Sequence, residues 1–226
     1  MLKGAIFDHD GLMFDTEVIW QKNWKEVADE MGITLPEEFK KNICGSSGQH
    51  MLDVIQEYYG VEDGTAIRDR VRKGVNDDEE KHIDAKYGLV DILEMFQRHG
   101  VKMAVASSSG KAMIERNLKN GGVEEYFDAV VSGQEVEHGK PAPDIFLLAA
   151  ERIGIDIKDC YVFEDAFNGV EAGLASGAKT IMIPDQIQPT EELRERVDAV
   201  CTTLKEASEK IEAGELWFFC FSVVIL

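Results

Sequence analysis

Apolar runs alternate with amphipathic segments through the second half of the chain. Short apolar runs bounded by glycine or polar residues predict β-strands, and the segments between them have the spacing of helices. Because strands that alternate with helices of this length pair in parallel, with helices on both faces, the pattern predicts an α/β fold built on a parallel sheet. The predicted strands cover residues 4–7, 101–106, 127–131, 160–163 and 179–183, and the predicted helices cover 111–118, 144–153 and 167–176.

A helical block separates the first predicted strand from the others. Trp20, Trp24 and Met31 recur at helical spacing up to Gly32, and the same spacing predicts further helices within the block. The interruption predicts a Rossmann-like parallel-sheet core with an inserted helical cap domain. The predicted division is a core over 1–14 and 86–214, a cap over 15–85 with further helices at 47–59 and 63–81, and an apolar tail of unknown role over 215–226.

The composition narrows the classes of partner. The chain has 226 residues, with 24 Lys and Arg against 43 Asp and Glu, so its formal net charge is -19. Such a surface repels nucleic acid and anionic membranes. No apolar run reaches the roughly 18 residues of a membrane span, and the first residues lack the pattern of a secretion signal. The cysteines are widely spaced, which predicts reduced thiols, as in cytosolic proteins. We therefore expect a cytoplasmic monomer that binds neither nucleic acid nor membranes.

Polar side chains that could take part in catalysis or ligand binding follow four of the predicted strands. The carboxyl ends of parallel strands meet at one edge of a sheet, where ligands of such folds bind. We therefore expect these side chains to lie together. They are Asp8 and Asp10 after the first strand, Ser107 and Ser108 after the second, Lys140 after the third, and Glu164 and Asp165 after the fourth.

Each of these residues also has an ordinary structural interpretation. An Asp-x-Asp-Gly sequence such as that at Asp8 is often only a turn. Ser107 and Asp165 each precede a predicted helix, where either could serve as an N-cap. A lone lysine such as Lys140 is usually a solvated surface residue. The choice between Ser107 and its neighbours Ser108 and Ser109 stays open at this stage.

Taken together and in order, the four clusters resemble the motifs of the haloacid dehalogenase superfamily. The resemblance covers about residues 1–212 and is greatest to the branch that contains sugar-phosphate phosphatases and β-phosphoglucomutase. It includes the position of the helical insertion. The matching motifs are Asp8-His9-Asp10-Gly11 with Asp15-Thr16, Ser107, Gly139-Lys140-Pro141-Ala142-Pro143-Asp144, and Glu164-Asp165.

The resemblance implies a phosphatase with an aspartate nucleophile. Asp8 would attack phosphorus, and Asp10 would act as general acid and then as general base. Magnesium would be the cofactor, held by Asp8, the backbone carbonyl of Asp10 and Asp165, with Glu164 helping directly or through water. Dehalogenases of the superfamily lack the second aspartate, so Asp10 favours phosphoryl transfer.

The phosphoryl oxygens would be bound by Ser107 or Ser108 and by Lys140, whose charge also offsets that of Asp8. The resemblance places substrate specificity in the cap. We expect specificity residues at Thr16, Trp20, Gly45, Ser46, Ser47 and Gly48. Trp20 has a second interpretation, as a core residue of its helix, and Ser47 has one as an N-cap.

The sequence thus predicts a magnesium-dependent phosphatase that hydrolyses a small phosphorylated metabolite through an aspartyl-phosphate. One alternative is a β-phosphoglucomutase-like phosphotransferase. Trp20, Cys44 and Gly48 occupy positions where that mutase has histidine, lysine and arginine, which disfavours it, although Lys40 or Lys41 could substitute for those cations. The other alternative is a catalytically idle, metal-binding regulator.

Overall fold

The computed structural model describes residues 2–44, 46, 48–186 and 188–216. The chain divides into two compact units. The first comprises Met1–Phe14 and Ala85–Leu226, and the second comprises Asp15–Asp84. Much of the predicted apolar tail, residues 217–226, lies outside the described residues.

The first unit contains a six-stranded, all-parallel sheet with strand order β3-β2-β1-β4-β5-β6. Its strands are β1 Gly4–Phe7, β2 Lys102–Ser107, β3 Ala129–Ser132, β4 Cys160–Glu164, β5 Lys179–Met182 and β6 Ala199–Val200. The predicted α/β fold with a parallel sheet is thereby confirmed. The two-residue strand β6 was not predicted, because it is too short to carry a pattern of its own.

Helices cover both faces of this sheet, which explains why its central strands are apolar throughout. Along β1, Ile6 belongs to an apolar cluster with Phe146 of α7 (Asp144–Ile153), while Phe7 stacks on Phe163 and meets Phe96 of α5 (Leu89–Arg98). Successive side chains of a strand point to opposite faces, so both must be apolar. The helices of this unit are α5 Leu89–Arg98, α6 Lys111–Asn120, α7 Asp144–Ile153, α8 Phe167–Ser176, α9 Glu191–Arg196 and α10 Leu204–Glu212.

Strand β3 begins two residues later than the sequence predicted. The side chain of Asp128 accepts a hydrogen bond from the backbone N–H of Met103 at 2.9 Å. This side chain takes the place of a backbone partner, so the regular ladder starts at Ala129. Helices α5, α9 and α10 were not predicted either.

The second unit is helical, as its sequence pattern predicted. Its core contains Trp24, Phe39 and Tyr59, and the hydroxyl of Tyr59 donates a hydrogen bond to the carbonyl of Trp24 at 2.7 Å. The elements are α1 Thr16–Glu30, α2 Glu37–Ile43, α3 Gly48–Tyr59 and α4 Thr65–Glu79. Helix α2 was not predicted. Across the described residues of both units, every helix falls short of the length and apolarity that a membrane crossing demands.

Candidate active site

The sheet topology brings the predicted site residues together at its carboxyl edge. Strand β1 lies between β2 and β4, with Phe7 in register with both Val105 and Phe163. Asp8 follows Phe7 directly, and its backbone N–H donates to the carbonyl of Phe163 at 3.0 Å. The last residues of β2 and β4, Ser107 and Glu164, therefore lie on either side of Asp8.

Lys140 connects the two buried carboxylates at this edge. Its ammonium group donates to Oδ1 of Asp8, to Oε1 of Glu164 at 2.6 Å and to the carbonyl of Ala106 at 3.1 Å. It also lies 4.9 Å from the ring centroid of Phe146. The side chains of Lys140, Asp8 and Glu164 are each less than a tenth exposed. Such a desolvated arrangement gives one fixed positive charge directly beside Asp8.

Both oxygens of Glu164 accept hydrogen bonds from the protein. Oε1 faces Lys140, and Oε2 accepts from the backbone N–H groups of Asp165 at 2.9 Å and Ala166 at 3.2 Å. Gly169 of α8 makes room for this carboxylate, because a Cβ atom at that position would overlap Oε1. Glu164 is thus built to hold Lys140 in place as well as to add negative charge.

Burial raises the pKa of Asp8 to about 7; Lys140 opposes that rise, whereas Glu164 and Asp10 add to it. Burial by itself would lower the pKa of Lys140, but the two carboxylates outweigh it and raise the pKa above its ordinary value. One lysine therefore does not neutralise the charge at this edge.

The donor set fits a divalent cation that prefers oxygen ligands. Asp8, Glu164 and Asp165 offer carboxylate oxygens that all lie within 4.8 Å of one another. Burial raises the pKa of Asp165 well above its usual range, and the charges of Glu164 and Asp8 raise it further. Several buried carboxylates facing a single lysine leave an excess of negative charge that a bound cation would compensate.

Asp10 is held by two hydroxyl groups and one ring nitrogen. Its Oδ2 accepts from Ser107 at 3.1 Å and from Ser109 at 2.7 Å, and Nδ1 of His9 lies 3.2 Å from its Oδ1. Burial alone would raise the pKa of Asp10. His9 and the two serines outweigh that effect and hold the pKa below its usual value.

The structure distinguishes among the three consecutive serines. Ser107 and Ser109 both face Asp10, whereas Ser108 is exposed. Ser109 is positioned in turn by Ser132 of β3, whose hydroxyl donates to the Ser109 carbonyl at 2.6 Å. Sequence reasoning left Ser109 only as an open alternative to Ser107 and gave no role to His9. Their signals were the serine repeat and a polar residue between two aspartates.

The predicted specificity residues lie in the helical unit. Thr16 is buried at the first position of α1, and Trp20 is partly buried, with its ring centroid 6.2 Å from that of Trp24. The hydroxyl of Ser46 donates to the carbonyl of Ile43 at 2.7 Å, and Gly48 begins α3 with φ of 58°. Gly45 and Ser47 lie outside the described residues. The role of all six in specificity stays a prediction.

Comparison with known proteins places this site in a family. Residues 5–183 match the family described as haloacid dehalogenase-like hydrolase. The chain is 36% identical over 184 residues to the fructose-1-phosphate phosphatase of Escherichia coli, covering 79% of this chain and 94% of that protein. It is 28% identical over 218 residues to the phosphorylated carbohydrates phosphatase of Thermotoga maritima, covering 94% and 92% respectively.

A solved structure shares the fold. The β-phosphoglucomutase of Clostridium difficile superimposes with a TM-score of 0.73 at 21% identity, over 91% of this chain and 92% of that one. At this identity the likeness concerns the fold. The family match and the relatives that are named phosphatases go further: the chain belongs to the haloacid dehalogenase-like hydrolase family and is a hydrolase.

Proposed function

We propose that the protein is a magnesium-dependent phosphatase that hydrolyses a small phosphate monoester through an aspartyl-phosphate on Asp8. The observation that carries the proposal is the contact of the Asp8 carboxylate with Lys140, beside the oxygen cluster of Glu164 and Asp165. This arrangement joins a nucleophile, a cation for phosphoryl oxygens and a site for a metal.

In the first step, an oxygen of Asp8 attacks phosphorus while the bond from phosphorus to the ester oxygen breaks. Asp10 would enter this step protonated, because the negative charge of the bound phosphate raises its pKa against the effect of His9 and the serines. It donates that proton to the departing alkoxide, which leaves as an alcohol. The phosphoryl group is then an acyl phosphate on Asp8, and Asp10 is ionised.

In the second step, water attacks the same phosphorus and Asp10 takes a proton from it. The bond between phosphorus and the Asp8 oxygen breaks, which releases inorganic phosphate and restores the Asp8 carboxylate. Asp10 must therefore reach one oxygen on the side of phosphorus opposite Asp8 in both steps. Its two serine contacts hold it in one orientation for this purpose.

The remaining residues bind and compensate charge. Lys140 and the hydroxyl of Ser107 would hold the phosphoryl oxygens, and Glu164 would keep Lys140 in position. Asp8, the backbone carbonyl of Asp10 and Asp165 would bind Mg²⁺, with Glu164 adding negative charge beside them. The bound ion would neutralise the phosphate and lower the barrier to attack by an anion.

Sugar phosphates are the proposed substrate class. This choice rests on the relatives, since the two reported phosphatases are named for fructose 1-phosphate and for phosphorylated carbohydrates. The helical unit, as a cap, would select among substrates through Ser46 and its neighbours. The same fold occurs in a β-phosphoglucomutase, so transfer of the phosphoryl group to a second sugar hydroxyl is the alternative outcome.

The test is turnover of p-nitrophenyl phosphate and fructose 1-phosphate by wild type and by Asp8→Asn. The amide keeps the shape of the side chain but is a very poor nucleophile, so turnover should fall below a few per cent. Asp29→Asn, an exposed aspartate of α1, is the control and should retain full activity. Full wild-type activity in excess chelator would refute the metal requirement. Formation of a second sugar phosphate instead of inorganic phosphate would favour the mutase.

A further inference from the structure

Asp10 carries two proton transfers in the proposed reaction, so its orientation matters, and one of its oxygens has an unusual neighbour. Oδ2 accepts from Ser107 and Ser109, but Oδ1 is buried within the protein. Nδ1 of His9 lies 3.2 Å from this Oδ1. A buried carboxylate oxygen is costly unless a donor compensates it.

His9 is itself held rigidly. Its side chain is fully buried, and its ring lies 5.2 Å from the ring of Phe14, measured between centroids. Its carbonyl accepts hydrogen bonds from the backbone N–H groups of Met13 at 3.1 Å and Phe14 at 3.4 Å, which closes the turn after β1. The ring therefore has little freedom to move away from Asp10.

We infer that His9 is a positioning residue for the general acid Asp10, an inference that rests on the proposed function. The ring nitrogen holds Oδ1 from one side while the two serine hydroxyls hold Oδ2 from the other. These contacts thereby prevent the carboxylate from rotating about the Cβ–Cγ bond of Asp10. An apolar residue at position 9 would leave Oδ1 buried without this contact, and Asp10 would sample orientations that cannot reach the leaving oxygen.

The experiment compares two esters that differ in leaving group. p-Nitrophenolate leaves readily without a proton, whereas phenolate benefits from an acid, so their ratio reports on Asp10. The measured quantity is kcat/KM, because it reports the steps up to transfer of the phosphoryl group to Asp8. The ratio of the two values within one preparation cancels any loss of folded protein.

His9→Leu should lower kcat/KM for phenyl phosphate about tenfold and that for p-nitrophenyl phosphate less than about twofold, as partial loss of general-acid catalysis predicts. His9→Asn is the conservative control. Its side-chain nitrogen can occupy the place of Nδ1, so it should keep the wild-type ratio. In an Asp10→Asn background, His9→Leu should change neither value further, because the residue through which it acts is gone.

Equal loss for both esters in His9→Leu, or the same loss with and without Asp10, would overturn the inference and leave His9 as a packing residue. Failure of the proposed function gives a different result: Asp10→Asn would itself treat the two esters alike. The three outcomes are therefore distinguishable with wild type, His9→Leu, Asp10→Asn, the double variant and the His9→Asn control.

Discussion

The backbone of Gly11 passes directly against the carboxylate of Asp165. Gly11 has φ of 80°, a left-handed conformation that side chains rarely adopt, and a Cβ atom there would overlap Oδ2 of Asp165. The turn after Asp10 thus depends on glycine twice, once for its dihedral angle and once for the space beside a proposed metal ligand. We therefore expect a substitution at position 11 to affect both stability and metal binding.

These two contributions are separable with a matched pair of variants. Gly100 also has a positive φ, 67°, but open space around its Cβ position. Gly11→Ala and Gly100→Ala should share a loss of stability of about 1 kcal/mol from the dihedral angle. Gly11→Ala alone should displace Asp165 and raise the Mg²⁺ concentration needed for half-maximal turnover at least about tenfold, the scale on which disturbed metal shells act. Equal Mg²⁺ dependence in the two variants would contradict this prediction.

Gly169 of α8 gives a second test, directed at Glu164. Alanine in place of glycine inside a helix ordinarily stabilises it by roughly 1 kcal/mol. Here the new Cβ would overlap Oε1 of Glu164, so Gly169→Ala should lower the melting temperature and reduce kcat through displacement of Lys140. Gly139→Ala, next to Lys140 but with open space, should leave both unchanged. A stabilised, fully active Gly169→Ala would mean that Glu164 does not depend on this space.

The raised pKa of Asp8 predicts how stability depends on pH in the absence of metal. Below the ordinary pKa of 3.8, Asp8 is protonated in both the folded and the unfolded chain, so its ionisation does not change the free energy of unfolding. As pH rises towards the folded pKa of about 7, only the unfolded chain releases the proton readily, so the folded state loses stability. The melting temperature of Asp8→Asn, measured relative to wild type in chelator, should therefore increase between pH 5 and pH 8.

Magnesium should reverse this difference. A bound cation favours the ionised form of Asp8, so Mg²⁺ should raise the melting temperature of wild type more than that of Asp8→Asn. Thermal unfolding at both pH values with and without Mg²⁺ measures both effects. An advantage of the variant that does not change with pH would contradict the raised pKa of Asp8. Equal stabilisation of both proteins by Mg²⁺ would argue against a metal at Asp8.

The proposed specificity loop is tested at Ser46, whose hydroxyl bonds within its own turn to Ile43. Ser46→Phe should change the ranking of sugar phosphates by kcat/KM and affect p-nitrophenyl phosphate, which needs few contacts with a cap, much less. Ser46→Ala is the control for loss of the hydroxyl alone. An unchanged ranking would show that the loop does not contact the substrate. A uniform loss of kcat/KM on every ester would show that the loop has only a general structural role.

The sequence by itself determined the sheet and the set of residues at its edge. Parallel pairing brings the carboxyl ends of β1, β2 and β4 together, so polar residues that directly follow apolar runs must converge. Asp8, Asp10, Ser107, Glu164 and Asp165 were predicted in this way, as was Lys140 through the loop after the third strand, and the family motifs then assigned their roles. The short strand β6 was not predicted, because it forms only where β5 is available to pair with it.

Only the tertiary structure decided what each side chain contacts. Ser107 and Ser109 face Asp10 whereas Ser108 points to solvent, since that choice depends on how the end of β2 is turned against β1 and β3. Glu164 holds Lys140, a partner 24 positions away, and no local pattern encodes such a distance. His9 lies beside Asp10 in the sequence, yet its contact with Oδ1 depends on the turn that buries its ring against Phe14.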